Sequence, residues 1–135
     1  MAENELYENP VSVLFSMDKE SMQNWKRTIR NGNIKLVNDP DLGSKVIEIT
    51  GDNMSQTFIT APGDATKHFG IKNPNIVLVV KNLKKYFTFE VQILDDKNIR
   101  RRFQSSTFVS ATRVKPFKST MPLKLDDGWN LVQFN

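Results

Sequence analysis

The chain has 135 residues, of which 39% are hydrophobic and 25% are charged, and its formal net charge is +4. This length and composition indicate one globular domain without a transmembrane run. The absence of cysteine excludes disulfides, thiolate zinc ligation and a cysteine nucleophile. The acidic, polar first ten residues lack the basic and apolar parts of a secretory signal, which predicts an intracellular protein.

The two-residue period of β-strands dominates the first half of the chain. Segment 11–16 is a short apolar strand candidate, and only residues 17–24 have a weakly helical pattern. Asn31-Gly32 lies between two alternating runs within residues 25–37, which predicts a β-hairpin with a type I′ turn. Two further strand candidates follow, at 45–50 and 55–60.

The strand pattern resumes after residues 61–74, a loop rich in proline and glycine. Residues 75–81 are a continuous, β-branched apolar run, which predicts a buried strand. Residues 86–94 alternate between apolar and polar side chains. The last strand candidates are 99–103, 121–125 and 129–134. Many short strands with turn signals between them predict an all-β sandwich or barrel.

The segment LDDKNIRRRF, residues 94–103, places acids and three arginines between two strands that are predicted to form a hairpin. A four-residue loop would mix apolar and polar residues on both faces, so the alternation favours a loop of odd length, Asp95 to Lys97. This register pairs Ile93 with Ile99, Phe89 with Phe103, Glu90 with Arg102 and Gln92 with Arg100.

In this hairpin Arg101 is the one arginine on the apolar face, together with Val91, Ile93 and Phe103. A buried guanidinium is unfavourable unless it is paired. We therefore expect Arg101 either to bond a carboxylate or main-chain carbonyls, or to face a partner protein.

The sequence offers no constellation for catalysis, so we expect no enzyme, no metal and no cofactor. His68 is a lone histidine in a loop, where exposure is the ordinary state. The adjacent acids Asp95-Asp96 and Asp126-Asp127 lie in predicted turns and are not spaced as acid–base pairs. A phosphate loop and a nucleophile elbow are also absent.

One basic block dominates the charge distribution. Residues 81–118 contain ten basic and three acidic side chains, a net charge of +7. Such a block favours an anionic partner such as nucleic acid, anionic lipid or an acidic protein, although an ordinary solvated face explains it equally well. Phe87 and Phe89 follow a core pattern, which disfavours nucleic acid. Trp129 alternates with Leu131 and is also predicted to be core, which disfavours a glycan site.

The strings at 81–103, 112–117 and 120–130 closely resemble the cilia- and flagella-associated protein 20 family, and those at 30–35 and 69–74 are similar to its pattern. The resemblance implies a β-sandwich of jelly-roll-like form and a structural role in the axoneme. Family members lie at the inner junction of doublet microtubules, where the B-tubule closes onto the A-tubule. The partners implied are tubulin, a neighbour like the parkin co-regulated protein, and other microtubule inner proteins. Neither a membrane nor nucleic acid is implied as a partner.

The chain departs from the family pattern at both ends. Residues 1–9 are a divergent acidic start, and the strands that the family has beyond residue 135 are absent. We therefore expect a divergent member or paralogue that is C-terminally incomplete, with a single β-sandwich domain over 1–135. Tubulin is acidic, and five basic residues are our candidates for contacting it or a neighbour: Lys84, Lys85, Arg100, Arg101 and Arg102. The alternative is a soluble β-sandwich module that binds nucleic acid or glycan.

Overall fold

The computed structural model describes residues 23–64 and 66–135, which form short strands with almost no helix. The predictions for 11–16 and for most of 17–24 lie outside these residues. The strands are β1 (Lys26–Thr28), β2 (Gly32–Asp39), β3 (Ser44–Gly51), β4 (Phe58–Thr60), β5 (Ile76–Asn82), β6 (Thr88–Leu94), β7 (Arg100–Ser106), β8 (Arg113–Val114), β9 (Lys118–Pro122) and β10 (Gly128–Phe134). The all-β prediction is confirmed.

The chain divides into two compact units between Asn73 and Pro74. In the first unit, β2 and β3 form an antiparallel hairpin, and β1 pairs with β4. The buried carboxylate of Asp39 closes the β2–β3 turn, since Oδ1 accepts the N–H groups of Asp41 and Leu42 at 3.0 Å each. Ile34 of β2 is the buried hydrophobic residue among those described in this unit.

The predicted hairpin around Asn31-Gly32 is wrong. The strands on either side of the dipeptide do not pair with each other, because β1 pairs with β4 and β2 pairs with β3. A type I′ turn needs a positive φ at both central residues. Asn31 has a φ of 53°, whereas Gly32 does not belong to the glycines with positive φ. The dipeptide marks a change of direction between two sheets instead.

The second unit contains two sheets. One pairs β5 with β10, and the other has the order β6-β7-β9-β8, in which β7 and β9 are parallel and the remaining pairs antiparallel. The rings of Phe89 on β6 and Phe134 on β10 stack with centroids 5.5 Å apart, so side chains of the two sheets meet face to face. This is the arrangement of a β-sandwich, as expected.

Strand β5 is not buried on both faces, contrary to the prediction from its continuous apolar run. Val77 and Val79 are more than half exposed, and Leu131, which pairs with Val79 from β10, is 73% exposed. Trp129, which was predicted to be core, is half-buried, whereas Leu131 on the same face of β10 is exposed. Across the part of the chain that the structure describes, no helix is long and apolar enough to cross a membrane.

Candidate functional site

Strands β6 and β7 form the predicted hairpin, but the register differs from the prediction by two residues. Leu94 pairs with Arg100, and Val91 pairs with Phe103, so the loop contains the five residues 95–99 instead of three. A shift of two residues preserves the faces of both strands. The alternation therefore assigned each arginine to the correct face, while the residues predicted to lie directly opposite each other, such as Ile93 and Ile99, were wrong.

Asp95 explains the length of this loop. Its Oδ1 accepts the N–H groups of Lys97 at 3.0 Å and Ile99 at 2.8 Å, and Asn98 adopts a left-handed conformation with a φ of 63°. The hydrogen bond from Ile99 makes the largest contribution to lowering the pKa of Asp95, against some desolvation, and the bonds from Arg101 and Lys97 lower it further. The carboxylate thus accepts hydrogen bonds from loop N–H groups that would bond to main-chain carbonyl oxygens in a shorter turn.

Arg101 lies on the opposite face from Arg100 and Arg102, as the alternation predicted. Its Nε donates to Oδ2 of Asp95 at 2.9 Å, and its Nη1 donates to the carbonyl oxygen of Pro116. The expectation that Arg101 bonds a carboxylate or a main-chain carbonyl is confirmed, and the side chain does both. Arg101 therefore fixes the hairpin loop to the turn between β8 and β9.

Arg102 lies on the polar face and binds Glu90, the pair that the sequence analysis expected. Both Nε and Nη2 donate to Oε1 of Glu90, at 2.9 and 2.6 Å. The two residues are diagonal neighbours in the observed register, because Glu90 is directly opposite Gln104. Gln104 and Gln92 also donate to this carboxylate, at 2.7 and 3.0 Å.

Partial burial raises the pKa of Glu90, but hydrogen bonds from Arg102, Gln92 and Gln104 outweigh it, so the pKa lies below its ordinary value of 4.5.

We expect Glu90→Gln to lower the free energy of unfolding by about 1 kcal/mol at neutral pH. A depressed carboxyl pKa stabilises the fold above the unfolded-state pKa, and that stabilisation disappears as pH falls through the folded-state pKa. Urea unfolding at neutral pH and below pH 4.5 should therefore show the difference shrinking in acid. A difference that grew in acid would contradict this assignment.

The five candidate contact residues do not form one patch. Lys84 and Lys85 precede β6 at the end of the hairpin where Thr88 pairs with Ser106, whereas Arg100 is at the loop end. Six residues of strand separate these ends by roughly 20 Å. Lys84 makes an exposed contact with Asp127 at 3.7 Å. Lys85 and Arg100 are exposed and form no ion pair within residues 23–64 and 66–135.

The sequence analysis did not single out three further cations that the sheet places near the hairpin. Arg113 on β8, Lys115 in the following turn and Lys118 on β9 are all exposed. Lys118 is the registered neighbour of Arg102, so both side chains extend from the same face. The charge count of residues 81–118 includes these three cations. The sequence does not reveal that β9 pairs with β7, and this pairing brings Lys118 next to Arg102.

His68 is exposed, as expected. Among the residues that the structure describes, no three histidine, cysteine, aspartate or glutamate side chains are grouped so that they could hold a metal ion. The described titratable groups with clearly shifted pKa values are carboxylates that accept hydrogen bonds from their own loops or from neighbouring strands.

Comparison with known proteins gives a consistent set of relatives. The CFA20 domain pattern matches residues 1–135. Cilia- and flagella-associated protein 20 of Paramecium tetraurelia is 53% identical over all 135 residues, and that of Chlamydomonas reinhardtii 52%; in each case the chain covers 71% of the relative. The protein of the same name from Caenorhabditis briggsae is 50% identical, and the chain covers 66% of it.

The fold and the hairpin define an all-β protein of short strands, with an arginine-rich hairpin in a mixed four-stranded sheet. The match over the whole sequence then identifies it more closely: the chain belongs to the CFA20 domain family. The resemblance found in the sequence is therefore confirmed at the level of the family.

Proposed function

We propose that this protein is a structural component of ciliary and flagellar axonemes at the inner junction of doublet microtubules. There it helps to close the B-tubule onto the A-tubule and supports ciliary motility. The observation that carries this proposal is the identity of 50–53%, over the entire chain, to three proteins named cilia- and flagella-associated protein 20. An enzymatic role is not part of the proposal.

The partners we propose are tubulin, a neighbour like the parkin co-regulated protein, and other microtubule inner proteins. The net charge of +7 in residues 81–118 supports attraction to the acidic surface of tubulin. Lys85 and Arg100 are the candidates best placed for this, since both are exposed and free of ion pairs among the described residues. Arg101 and Arg102 have internal carboxylate partners and contribute mainly to the hairpin itself.

A graded salt wash of detergent-extracted cilia tests the proposal. A tagged copy should remain with the doublets after detergent, because an inner-junction component is part of the microtubule wall. The double variant Lys85→Glu/Arg100→Glu should leave the doublets at lower salt than the wild-type protein, since screening weakens exposed charge contacts. Immunoblots of pellet and supernatant at each salt step measure both effects.

The matched control is Lys67→Glu/Lys72→Glu, which makes the same change in net charge at two exposed lysines of the first unit. Its extraction should resemble that of the wild-type protein. Release of the wild-type protein with the detergent-soluble matrix would refute the axonemal role. Equal extraction of both double variants would retain that role but remove Lys85 and Arg100 as contact residues.

A further inference from the structure

One face of the hairpin formed by β8 and β9 brings three cations together. Strand β8 pairs with β9 so that Arg113 lies opposite Thr120. The pairing continues one step into the turn, because the main-chain N–H of Lys115 donates to the carbonyl oxygen of Lys118 at 3.2 Å. Lys115 therefore lies opposite Lys118, and alternation along each strand puts all four side chains on one face. We call Arg113, Lys115 and Lys118 the basic cluster.

Lys118 has a cation on each side of it in the sheet. Lys115 is its neighbour on the β8 side, and Arg102 is its registered partner on β7. Neighbouring strands are about 5 Å apart, so the row from Arg102 to Lys115 spans about 10 Å. Like charges at directly opposite positions destabilise a sheet. This row therefore favours an anion that neutralises it.

The chain itself supplies no such anion to the basic cluster. Arg113, Lys115 and Lys118 are exposed, and none of the three forms an ion pair within residues 23–64 and 66–135. Glu90 is the one carboxylate on this face of β6, β7, β8 and β9, and Arg102 already binds it. The three positive charges of the basic cluster are therefore available to a ligand.

Two further groups beside the basic cluster can bind anionic oxygen atoms. Arg102 uses one N–H of Nε and one of Nη2 on Glu90, which leaves three of its five N–H donors, and its side chain is 44% exposed. The hydroxyl of Thr120 lies beside Arg113 and can donate to a ligand oxygen. Guanidinium groups bind phosphate oxygens through paired hydrogen bonds. The face thus combines positive charge with directed hydrogen-bond donors.

The turn that carries the basic cluster is fixed in the free protein. Nη1 of Arg101, which extends from the opposite face, donates to the carbonyl oxygen of Pro116, and Asp95 holds Arg101 in turn. The main-chain N–H of Arg102 donates to the carbonyl oxygen of Phe117 at 2.9 Å. Because the main chain is already positioned, binding has to order only side chains, which lowers its entropic cost.

We infer that the basic cluster binds a small soluble anion that carries two or more phosphate monoester groups close together. Two such groups provide roughly 3–4 negative charges, which matches the three cations that lack a carboxylate partner. An acidic polypeptide matches them less well, since an extended chain presents one side chain about every 7 Å on a given face, with a single charge each. The inference rests on this face alone and does not depend on the proposed axonemal role.

Membranes and nucleic acids also fit this face less well. A polybasic patch holds a protein stably on a bilayer only together with a second, apolar signal. Leu94 is the one exposed large hydrophobic side chain on this face of the four strands. A nucleic acid neutralises cations along an extended backbone, whereas the row of cations is only about 10 Å long. A compact polyphosphorylated molecule is therefore the ligand class that the face favours.

Isothermal titration calorimetry of the 135-residue chain tests the inference, with inositol hexakisphosphate as the probe. This compound places phosphate monoesters side by side on one small ring. Inorganic phosphate is the control with a single group, and a glutamate-rich peptide is the carboxylate control. We expect the probe to bind about tenfold or more tightly than either control, and its affinity to fall as salt is added.

Variants of the chain locate the binding site. Arg113→Gln/Lys118→Gln should weaken binding of the probe about tenfold or more, because it removes two of the three unpaired charges. Thr120→Val keeps the shape of the side chain without the hydroxyl and should weaken binding several-fold. The matched charge control is Lys67→Gln/Lys72→Gln, at two exposed lysines of the first unit, and it should bind within about twofold of the wild-type protein.

Four results would overturn the inference. Equal losses in the two double variants would show that net charge alone attracts the probe. Equal affinity for the probe and for inorganic phosphate would eliminate the need for clustered groups. Tighter binding of the glutamate-rich peptide, lost in Arg113→Gln/Lys118→Gln, would assign the basic cluster to an acidic protein. Tighter binding of vesicles that contain phosphatidylinositol bisphosphate, lost in the same variant, would assign it to a lipid headgroup. Circular dichroism of each variant separates loss of binding from misfolding.

Discussion

Leu123→Ala should destabilise the protein by about 3 kcal/mol, because large-to-small substitutions of buried leucines remove apolar contacts and leave a cavity. Leu123 directly follows β9 and is 5% exposed, the most buried hydrophobic residue of the described chain. Its main-chain N–H donates to the carbonyl oxygen of Ser106 at 2.9 Å, which holds the side chain beside the end of β7. Ser105 and Ser106 are buried there too, so there is little room for the structure to relax around a missing side chain.

Leu131→Ala is the matched control, since it makes the same chemical change in the same unit at a side chain that is 73% exposed. We expect a change within about 0.5 kcal/mol. Urea unfolding followed by far-ultraviolet circular dichroism gives both values. Equal destabilisation by the two substitutions would mean that Leu131 is covered in solution and that Leu123 is not the centre of the core of this unit.

The β6–β7 hairpin shows which structural features alternation can predict. Side-chain alternation along a strand fixes the face of every residue, and it correctly separated Arg101 from its two neighbours. It does not fix the register to better than two residues, because shifts by two preserve all faces. Here the register depends on hydrogen bonds from the Asp95 carboxylate and on the left-handed conformation of Asn98. These are specific to a folded loop, and composition does not reveal them.

Long-range pairing accounts for the other errors. Asn31-Gly32 has the composition of a hairpin turn, but β1 finds its partner in β4, about thirty residues later in the chain. The apolar run of β5 predicts burial on both faces, whereas the sheet that it forms with β10 leaves Val77 and Val79 exposed. A short segment of sequence indicates its own conformational preference, whereas the choice of strand partner depends on packing among segments that are distant in the chain.

The same limit applies to the candidate functional residues. Clustering along the sequence directed attention to the three consecutive arginines, yet two of them have internal carboxylate partners. Lys115 and Lys118 are separated from the arginines by more than ten residues, and the parallel pairing of β9 with β7 brings Lys118 beside Arg102. Which of these cations already have a carboxylate partner within the fold can be determined only from the structure.

Gly32→Ala should also destabilise the protein strongly, by about 3 kcal/mol, because overpacking at this position has no inexpensive relief. A Cβ at Gly32 would lie 2.5 Å from the main-chain oxygen of Thr50 and would also collide with Oγ1 of Thr57. Thr57 is 4% exposed, and its hydroxyl both donates to the carbonyl of Arg30 and accepts from the N–H of the same residue. Neither obstacle is the mobile end of a flexible side chain.

Two other glycines of the first unit form a graded series with Gly32, and none of the three has a positive φ. A Cβ at Gly51 would meet only the side chain of Thr57 closely, at 3.0 and 3.1 Å, so we expect a smaller loss of about 1 kcal/mol. At Gly63 the nearest atoms are 3.4 and 3.5 Å away, which is ordinary contact, and alanine should be nearly neutral. Urea midpoints of the three variants should follow this order. If Gly32→Ala is neutral, β2 and β3 do not approach as closely as the pairing of Gly32 with Gly51 requires. If the three variants follow the expected order, steric fit, and not turn conformation, makes glycine necessary at position 32.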